Sequence, residues 1–556
     1  MNTPMLLATA TLAAAPVILP GTVLSVAALA EPVRAVAART EAGQDAILID
    51  RNRPDRRPPT TPDAAAARLD APDATTAPFP PFVLRAAAIE GSRLDQQRLQ
   101  AAVQPFIGQT LDVEGVARLR AAVAAAYAGS PWALPIVAID VSEAQRGVVR
   151  IAAVEGRVQH VAFKGQARRD DSLLLQAYAA ALIAETPLSR LRAERYLSLI
   201  GDIPGVVVAT RATPGDQAGG VDLDMTVARQ RWAYDFGLDT RGSRILGRTQ
   251  LIASAALNGA FRMGDQTRVT AILPADVERF QYVAVSHRQP LGFDGAAVTG
   301  SLGYLRTRPT GGIEGDAVTG GGNLSWPLIR SYRTNVVLGV GLDGVNSDAA
   351  VFGERIATER TRVLRASATA SRVRERSTLS GGVTLSQGLD TLGARAPSGL
   401  TDLDFRKINA RLDATRALGT AFRISAAATA QYSRDAAPSS EQFALGGGDI
   451  GRGFPTALIS GDAGWGVRAE AAWRPQRIRG RLAGSEVYAF GDGGEATLND
   501  RPGLPGRTLR LASVGAGTRI ALGPRTRLEL EAARAVDDPR PTADKWRLNV
   551  GVSARY

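Results

Sequence analysis

From Arg229 to Tyr556 the chain runs for about 330 residues as short stretches in which apolar and polar residues alternate, broken by Gly, Asp, Asn and Pro. A period of two belongs to strands with two unlike faces. The last stretch is the clearest. Trp546, Leu548, Val550, Val552, Ala554 and Tyr556 share one face, and Arg547, Asn549, Gly551, Ser553 and Arg555 share the other. Its span of about eleven residues is that of a tilted membrane strand. Upstream, Trp465, Val467, Ala469, Ala471 and Trp473 alternate with Gly466, Arg468, Glu470 and Ala472, and Leu528, Leu530 and Ala532 alternate with Arg527, Glu529 and Glu531. Aromatics at both ends of an apolar face, with arginines behind it, match the girdles of a membrane barrel better than a soluble sandwich. Hydrophobic residues make up 45% of the chain, yet no run after residue 40 approaches the ~18–20 apolar residues of a membrane helix. A membrane protein with that pattern must be a closed barrel. At ~10 residues per strand plus turns, the stretch suits about 16 antiparallel strands, and the arithmetic alone also accommodates 14 or 18.

The region before the barrel divides into four parts. Residues 1–30 read as a secretory signal: Met5 to Ala30 is apolar and ends in Ala28, Leu29 and Ala30, although no Lys or Arg precedes it. Residues 31–78 form a linker whose latter half is rich in Pro, Arg, Asp, Thr and Ala, with room for a short helix over 34–49. Residues 79–156 read as one α+β unit. Phe82 to Ile89 forms a strand, Asp112 caps a helix bearing Val116, Leu119, Val123 and Tyr127, and strands follow over Pro135–Val141 and Val148–Val154. Residues 157–228 repeat the plan, with helices over Ser172–Ile183 and Ser189–Ile200 and a hairpin whose arms are Val206–Thr213 and Val221–Ala228.

Composition removes several functions. There is no cysteine, so disulfides, thiolate metal sites and cysteine nucleophiles are excluded. The two histidines, His160 and His287, lie far apart in apparent strands and have no acid or serine partner nearby in sequence. No phosphate loop or metal motif occurs, since the glycine-rich 446–453 segment lacks the lysine and following helix of a phosphate cradle. No catalytic residue, cofactor or metal is therefore expected. The net charge of +12 suggests nucleic acid, but the arginines are spread along the chain in alternation with apolar residues, as in a charged lumen.

Two short motifs remain. Gly446 to Phe454 contains Gly451, Arg452, Gly453 and Phe454; some forty residues on, Phe490, Asp492 and Gly494 stand in strand-like alternation. An arginine on a glycine-rich loop inside a lumen needs a carboxylate, and Asp492 is the candidate. In order and in context, the motifs resemble those of the two-partner secretion transporters (TpsB), the haemolysin secretion/activation proteins. One departure is Gly451, which stands where valine is usual. The segments Tyr282 to Phe293, Ser386 to Leu389 and Asp404–Phe405 are also similar to that family.

The resemblance implies an all-β transmembrane barrel preceded by two α+β POTRA domains, at 79–156 and 157–228, with the barrel at 229–556. It implies a lumen-plugging helix at 34–49, a place in the cell outer membrane with the POTRA domains in the periplasm, and translocation of a partner exoprotein, an adhesin or haemolysin, captured unfolded. The expected partners are that client, outer-membrane lipid and the barrel-assembly machinery, with Trp546 and Tyr556 in the C-terminal assembly signal; no nucleic acid is expected. The alternatives are a barrel-assembly factor of the same superfamily, a passive porin and an outer-membrane hydrolase. Assembly factors usually carry more POTRA units, the 82–228 segment argues against a porin, and the hydrolase lacks an acid–histidine pair.

Overall fold

The computed structural model describes residues 79–556 apart from 166–171, 244–245, 263, 310–311, 352–353, 398 and 541–544. The signal, the linker and the 34–49 helix lie outside the described residues.

The first unit contains β1 (Phe82–Val83), β2 (Ala86–Glu90), helix α1 (Gln96–Val103), β3 (Thr110–Leu111), helix α2 (Val113–Ala126), β4 (Pro135–Asp140) and β5 (Val148–Glu155). Its main sheet has the order β2-β5-β4, with β2 parallel and β4 antiparallel to β5. Asp112 starts α2 by accepting the Gly115 N–H at 2.7 Å, which satisfies an otherwise orphaned helix donor. Val116, Leu119, Val123 and Tyr127 are buried against Val149 and Ile151 of β5. The single strand expected over Phe82–Ile89 is broken in two. Leu84 turns fully into the core, and the Gly147 carbonyl takes both the Arg85 and the Ala86 N–H, so the chain changes partner there.

The second unit is β6 (Arg157–Gly165), α3 (Ser172–Ile183), α4 (Arg190–Gly201), β7 (Val206–Pro214) and β8 (Gly220–Arg229). Its sheet, β6-β8-β7, repeats the parallel–antiparallel arrangement of the first. Leu175, Leu182, Leu188, Val221, Leu223 and Met225 fill the core between helices and sheet. At about 1.5–3 kcal/mol for each large apolar side chain fully buried, this layer dominates the unit's stability. Ser189, expected as the first residue of a helix, is instead the cap of α4 and accepts the Arg192 N–H.

The barrel is closed and has sixteen antiparallel strands. They are β9 (Trp232–Asp239), β10 (Gln250–Asn258), β11 (Gln266–Pro274), β12 (Phe280–Leu291), β13 (Ala296–Thr307), β14 (Ile313–Arg330), β15 (Thr334–Val351), β16 (Glu354–Arg374), β17 (Ser377–Gly388), β18 (Arg406–Leu418) and β19 (Phe422–Tyr432). After a small hairpin, β20 (Phe443–Leu445) with β21 (Ile459–Gly461), the wall resumes with β22 (Ala463–Trp473), β23 (Glu486–Leu498), β24 (Arg507–Ala521), β25 (Thr526–Asp537) and β26 (Trp546–Arg555). Closure comes from β26 on β9, where Gly551 to Arg555 pair with Asp239 to Asp235. Strands β14, β15 and β16 have 18, 18 and 21 residues, well beyond the ~10 needed to cross a bilayer. Beyond the apolar band, their outward positions become Asp316, Asn346, Asp348, Arg360 and Arg362, so that end of the ribbon stands in water.

The expected two faces are present. Trp465, Val467 and Trp473 point outward and are exposed, whereas Glu470 between them points inward and is buried. On β26 Trp546, Leu548, Val550 and Val552 are exposed while Arg547 and Asn549 are buried. The second α+β unit docks on one rim of the barrel. Arg195 pairs with Asp294 at 2.7 Å, Arg330 pairs with Asp202 at 2.6 Å, and Tyr332 packs against the unit's core. His287 is structural, with Nδ1 2.9 Å from the Thr267 hydroxyl and its ring edge-on to Phe261, whereas His160 is solvent-facing on β6.

Candidate functional site: a loop pinned inside the barrel

The segment between β19 and β22 starts at the rim opposite the α+β units. It folds back into the lumen, where side chains from both sides of the barrel meet it. At its tip the backbone turns tightly: Gly446 N–H donates to Ile450 O at 3.0 Å, and Phe454 N–H donates to Gly451 O at 2.9 Å. Gly451 has φ +87°, and a Cβ there would lie 3.0 Å from both Gly446 Cα and Leu511 Cδ1. A valine would be strained at that φ, which accounts for glycine at this position. Phe454 is fully buried in a small apolar cluster with Phe443, Leu445, Ile450 and Ile459 of the loop and Ala496, Leu511 and Ala535 of the wall.

Arg452 lies at the centre and is buried. Its guanidinium donates to Glu470 of β22 at 3.0 Å from both Nη atoms, and Nη1 also reaches Glu531 of β25 at 3.2 Å. The guanidinium carbon sits 4.3 Å above the Phe490 ring, a cation–π contact of roughly 0.5–2 kcal/mol. Asp492 is not the partner of the guanidinium. Its Oδ2 accepts the backbone N–H of Arg452 at 3.1 Å, and its Oδ1 accepts the Ser513 hydroxyl. Ser513 Oγ in turn accepts the Gly453 N–H at 3.1 Å. The expected Arg452–Asp492 side-chain pair is thus divided in two. The aspartate fixes the loop's main chain, and two glutamates take the charge. Asp492 and Phe490 share the inward face of β23, where the carboxylate meets the turn's free N–H groups and the ring lies under the guanidinium.

The third residue of the strand motif serves packing. Gly494 leaves room for the loop, because a Cβ would come within 2.2 Å of Trp465 O and 2.8 Å of Leu445 Cδ1. Around this centre runs a connected set of ion pairs. Arg519 bridges Glu470, Glu486 and Glu529; Arg241 pairs with Glu529 and Glu531; the Tyr488 hydroxyl donates to Glu529 and Glu531 at 2.8 and 2.9 Å. Such a network favours one position of the loop, since a displaced Arg452 gives up charge-assisted bonds to two glutamates that Arg519 and Arg241 hold in place.

Two further anchors carried no sequence motif. Near the start of the loop, buried Glu441 receives Arg365 of β16 at 2.7 Å and Lys407 of β18 at 2.8 Å, and Glu359 of β16 accepts Ser439 and Ser440. At the far rim the buried pair Asp462–Arg501, 2.8 Å apart, ties the loop to the β23–β24 turn, and Arg501 Nε donates to Leu400 O of the β17–β18 loop. Each of these residues lies on the inward phase of a strand or in a loop, which was legible. Which strands face one another across the lumen follows from barrel closure, which was not. The motif residues Gly451, Arg452, Gly453, Phe454, Phe490, Asp492 and Gly494 are brought together. Trp546 and Tyr556 stand apart on the outer surface, exposed at opposite ends of β26. Among the described residues no cluster of metal-ligating side chains occurs.

A comparison with curated proteins finds no match. Among solved structures, CdiB from Escherichia coli aligns with a TM-score of 0.65 at 20% identity, covering 94% of this chain and 99% of that one. CdiB from Acinetobacter baumannii aligns at 0.62 and 16% identity, covering 94% and 99%. The crystal structure of BamA from Haemophilus ducreyi lacking POTRA domains 1–3 aligns at 0.54 and 13% identity, covering 85% and 100%. At those identities the likeness is one of fold. The family assignment comes from the sequence match over residues 219–520, more than half of the chain, and by it this protein belongs to the haemolysin secretion/activation protein family ShlB/FhaC/HecB, the outer-membrane transporters of two-partner secretion.

Proposed function

We propose that the protein passes one secreted exoprotein, an adhesin or haemolysin, through its barrel, and that the loop pinned by Arg452 is the element that holds the pathway in its resting arrangement. The two α+β units are read as POTRA domains in the periplasm that receive the client unfolded. Each has a three-stranded sheet with open edges, and adding a client strand to such an edge gives affinity through backbone hydrogen bonds with little demand on client sequence. The second unit is docked on the barrel rim by Arg195–Asp294 and Arg330–Asp202, so a strand received there is delivered at the mouth of the lumen. No nucleotide is needed in this scheme, as folding of the client outside biases the motion.

The observation that carries the reading is the buried Arg452 centre, which joins the loop to carboxylates on β22, β23 and β25 inside a barrel that already has a closed wall. The wall is complete without the loop. Its removal therefore alters the interior and not the insertion of the barrel. The test is secretion of the client by cells carrying Arg452→Ala. The expected result is heat-modifiable barrel in the outer membrane with no client released. Normal release by that variant would overturn the role of the loop. A deletion of 158–228 tests the capture step in the same assay, and client release from that deletion would make the unit a spacer.

A further inference from the structure

The rim of the barrel that faces the α+β units is not uniform. The sector formed by the turns after β10, β12 and β14 carries the second unit, through Leu174 beside Gly264, Arg195 on Asp294 and Asp202 on Arg330. The remaining sector, from the β16–β17 turn to the β24–β25 turn, carries an arginine belt. Arg372, Arg374 and Arg376 are exposed at the end of β16, and Arg477, Arg479 and Arg481 are exposed in the turn between β22 and β23. No ion pair involves these six among the described residues, and Glu375 is the one acidic residue in the four turns of this sector.

The belt is amphipathic. Arg372 and Arg374 continue the outward face of β16 directly beyond Ala366, Ala368 and Ala370, which are exposed and lipid-facing. Ile478 and Leu482 alternate with the loop arginines and are also exposed. The aromatic residues Phe422, Trp473 and Tyr556 are exposed at the ends of their strands on this rim, and the Arg525 guanidinium lies 5.7 Å from the Tyr556 ring. Cationic side chains just beyond an aromatic girdle, with apolar residues between them, lie at the depth of lipid phosphates.

We infer that this sector is a binding surface for anionic phospholipid headgroups of the leaflet next to the α+β units. Each guanidinium offers two parallel N–H donors to phosphate oxygens, and the clustered charge raises the local concentration of acidic lipid over zwitterionic lipid. The surface would fix the tilt and depth of the half of the barrel that the α+β units leave uncovered. The leaflet's identity as periplasmic rests on the orientation given above, but the lipid preference does not.

The test uses the purified full chain in phosphatidylcholine nanodiscs carrying trace spin-labelled phosphatidylglycerol or spin-labelled phosphatidylcholine. The expected result is about threefold stronger association of phosphatidylglycerol at low salt, falling toward equality at 1 M salt, where the Debye length is about 3 Å. The variant carrying Arg477→Gln, Arg479→Gln and Arg481→Gln is expected to lose about half of that preference, and adding Arg372→Gln, Arg374→Gln and Arg376→Gln to abolish it. Heat-modifiability of each variant shows that the barrel is intact, and the salt dependence of the native chain stands even if a variant does not fold. Equal association of the two lipids with the native chain, or an unchanged preference in the sixfold variant, overturns the inference. Binding of a polyglutamate peptide to this rim without any lipid preference assigns the belt to an acidic polypeptide and overturns it equally. Because nanodiscs do not define a periplasm, a wrong orientation would leave these results unchanged and would show separately, as labelling of the belt from outside intact cells.

Discussion

The α+β units and the barrel solve the burial problem in opposite ways. In the units, Leu175, Leu223 and Met225 are inside and charges such as Lys164 and Asp224 are outside. In the barrel, leucines, valines and tryptophans face outward, and the inside holds Arg452, Glu470, Glu531 and Arg519. An apolar core is non-directional and tolerates small shifts. A network of buried ion pairs is directional, and its value depends on every member being in place. The units therefore owe their shape to packing, whereas the loop in the lumen owes its position to a few named bonds. One is robust to single polar changes, and the other can be released by one.

Substitutions sharpen this contrast. The largest effect on the loop is expected at Arg452→Ala, which takes the loop's own guanidinium off Glu470 and Glu531 and leaves them to Arg519 and Arg241 of the wall. Because neither glutamate is left uncompensated, the cost stays below the ~3–5 kcal/mol of a fully broken buried pair, and hydrogen exchange of the 446–454 amides should accelerate correspondingly while the strand amides stay protected. Arg452→Lys keeps the charge but not the forked geometry or the contact with the Phe490 ring; partial protection, between that of the native protein and that of the alanine variant, is expected in the same measurement. In the units the sensitive position is apolar. Leu175→Ala should destabilise the 157–228 unit by ~2–5 kcal/mol, seen as rapid proteolysis of that unit from a barrel that remains heat-modifiable. If Leu175→Ala instead loosened the loop, the two regions would not be independent.

The smallest folding effects belong to the surfaces. Tyr556→Asp places a charge at the membrane interface, where its energetic cost is only ~0–1 kcal/mol. A large fall in barrel yield in cells, with normal refolding of the purified variant, would identify recognition by the assembly machinery as the cause. Lys164→Ala removes an exposed pair worth ~0–1 kcal/mol and should leave thermal unfolding of the second unit within error of the native value.

How far the sequence carried differs between the same two regions. The strand faces on β22, β25 and β26 were legible because period two separates lipid from lumen, and the helix caps at Asp112 and Ser189 were legible or nearly so because a short polar side chain before an apolar helix has few other uses. The break at Leu84 was not, since it depends on the Gly147 carbonyl, some sixty residues away. In the lumen, the two motifs identified the loop and its strand. They misassigned the bond between them, because Asp492 is held by main-chain N–H groups that no residue identity encodes. The glutamates were visible as charges on alternating strands. That Glu470 and Glu531 converge on one guanidinium is a consequence of how sixteen strands close, and no local pattern contains it.

That division of labour at Arg452 is the central claim, and a pair of double-mutant cycles read by hydrogen exchange of the loop amides tests it most directly. Arg452→Ala with Glu470→Gln should be strongly non-additive, with a coupling of ~1–3 kcal/mol, because both changes remove the same side-chain bond. Arg452→Ala with Asp492→Asn should couple clearly more weakly than the Glu470 cycle, because alanine keeps the backbone N–H that Asp492 holds. Strong coupling between Arg452 and Asp492, with additive effects at Glu470, would contradict the account and restore the direct guanidinium–aspartate pair.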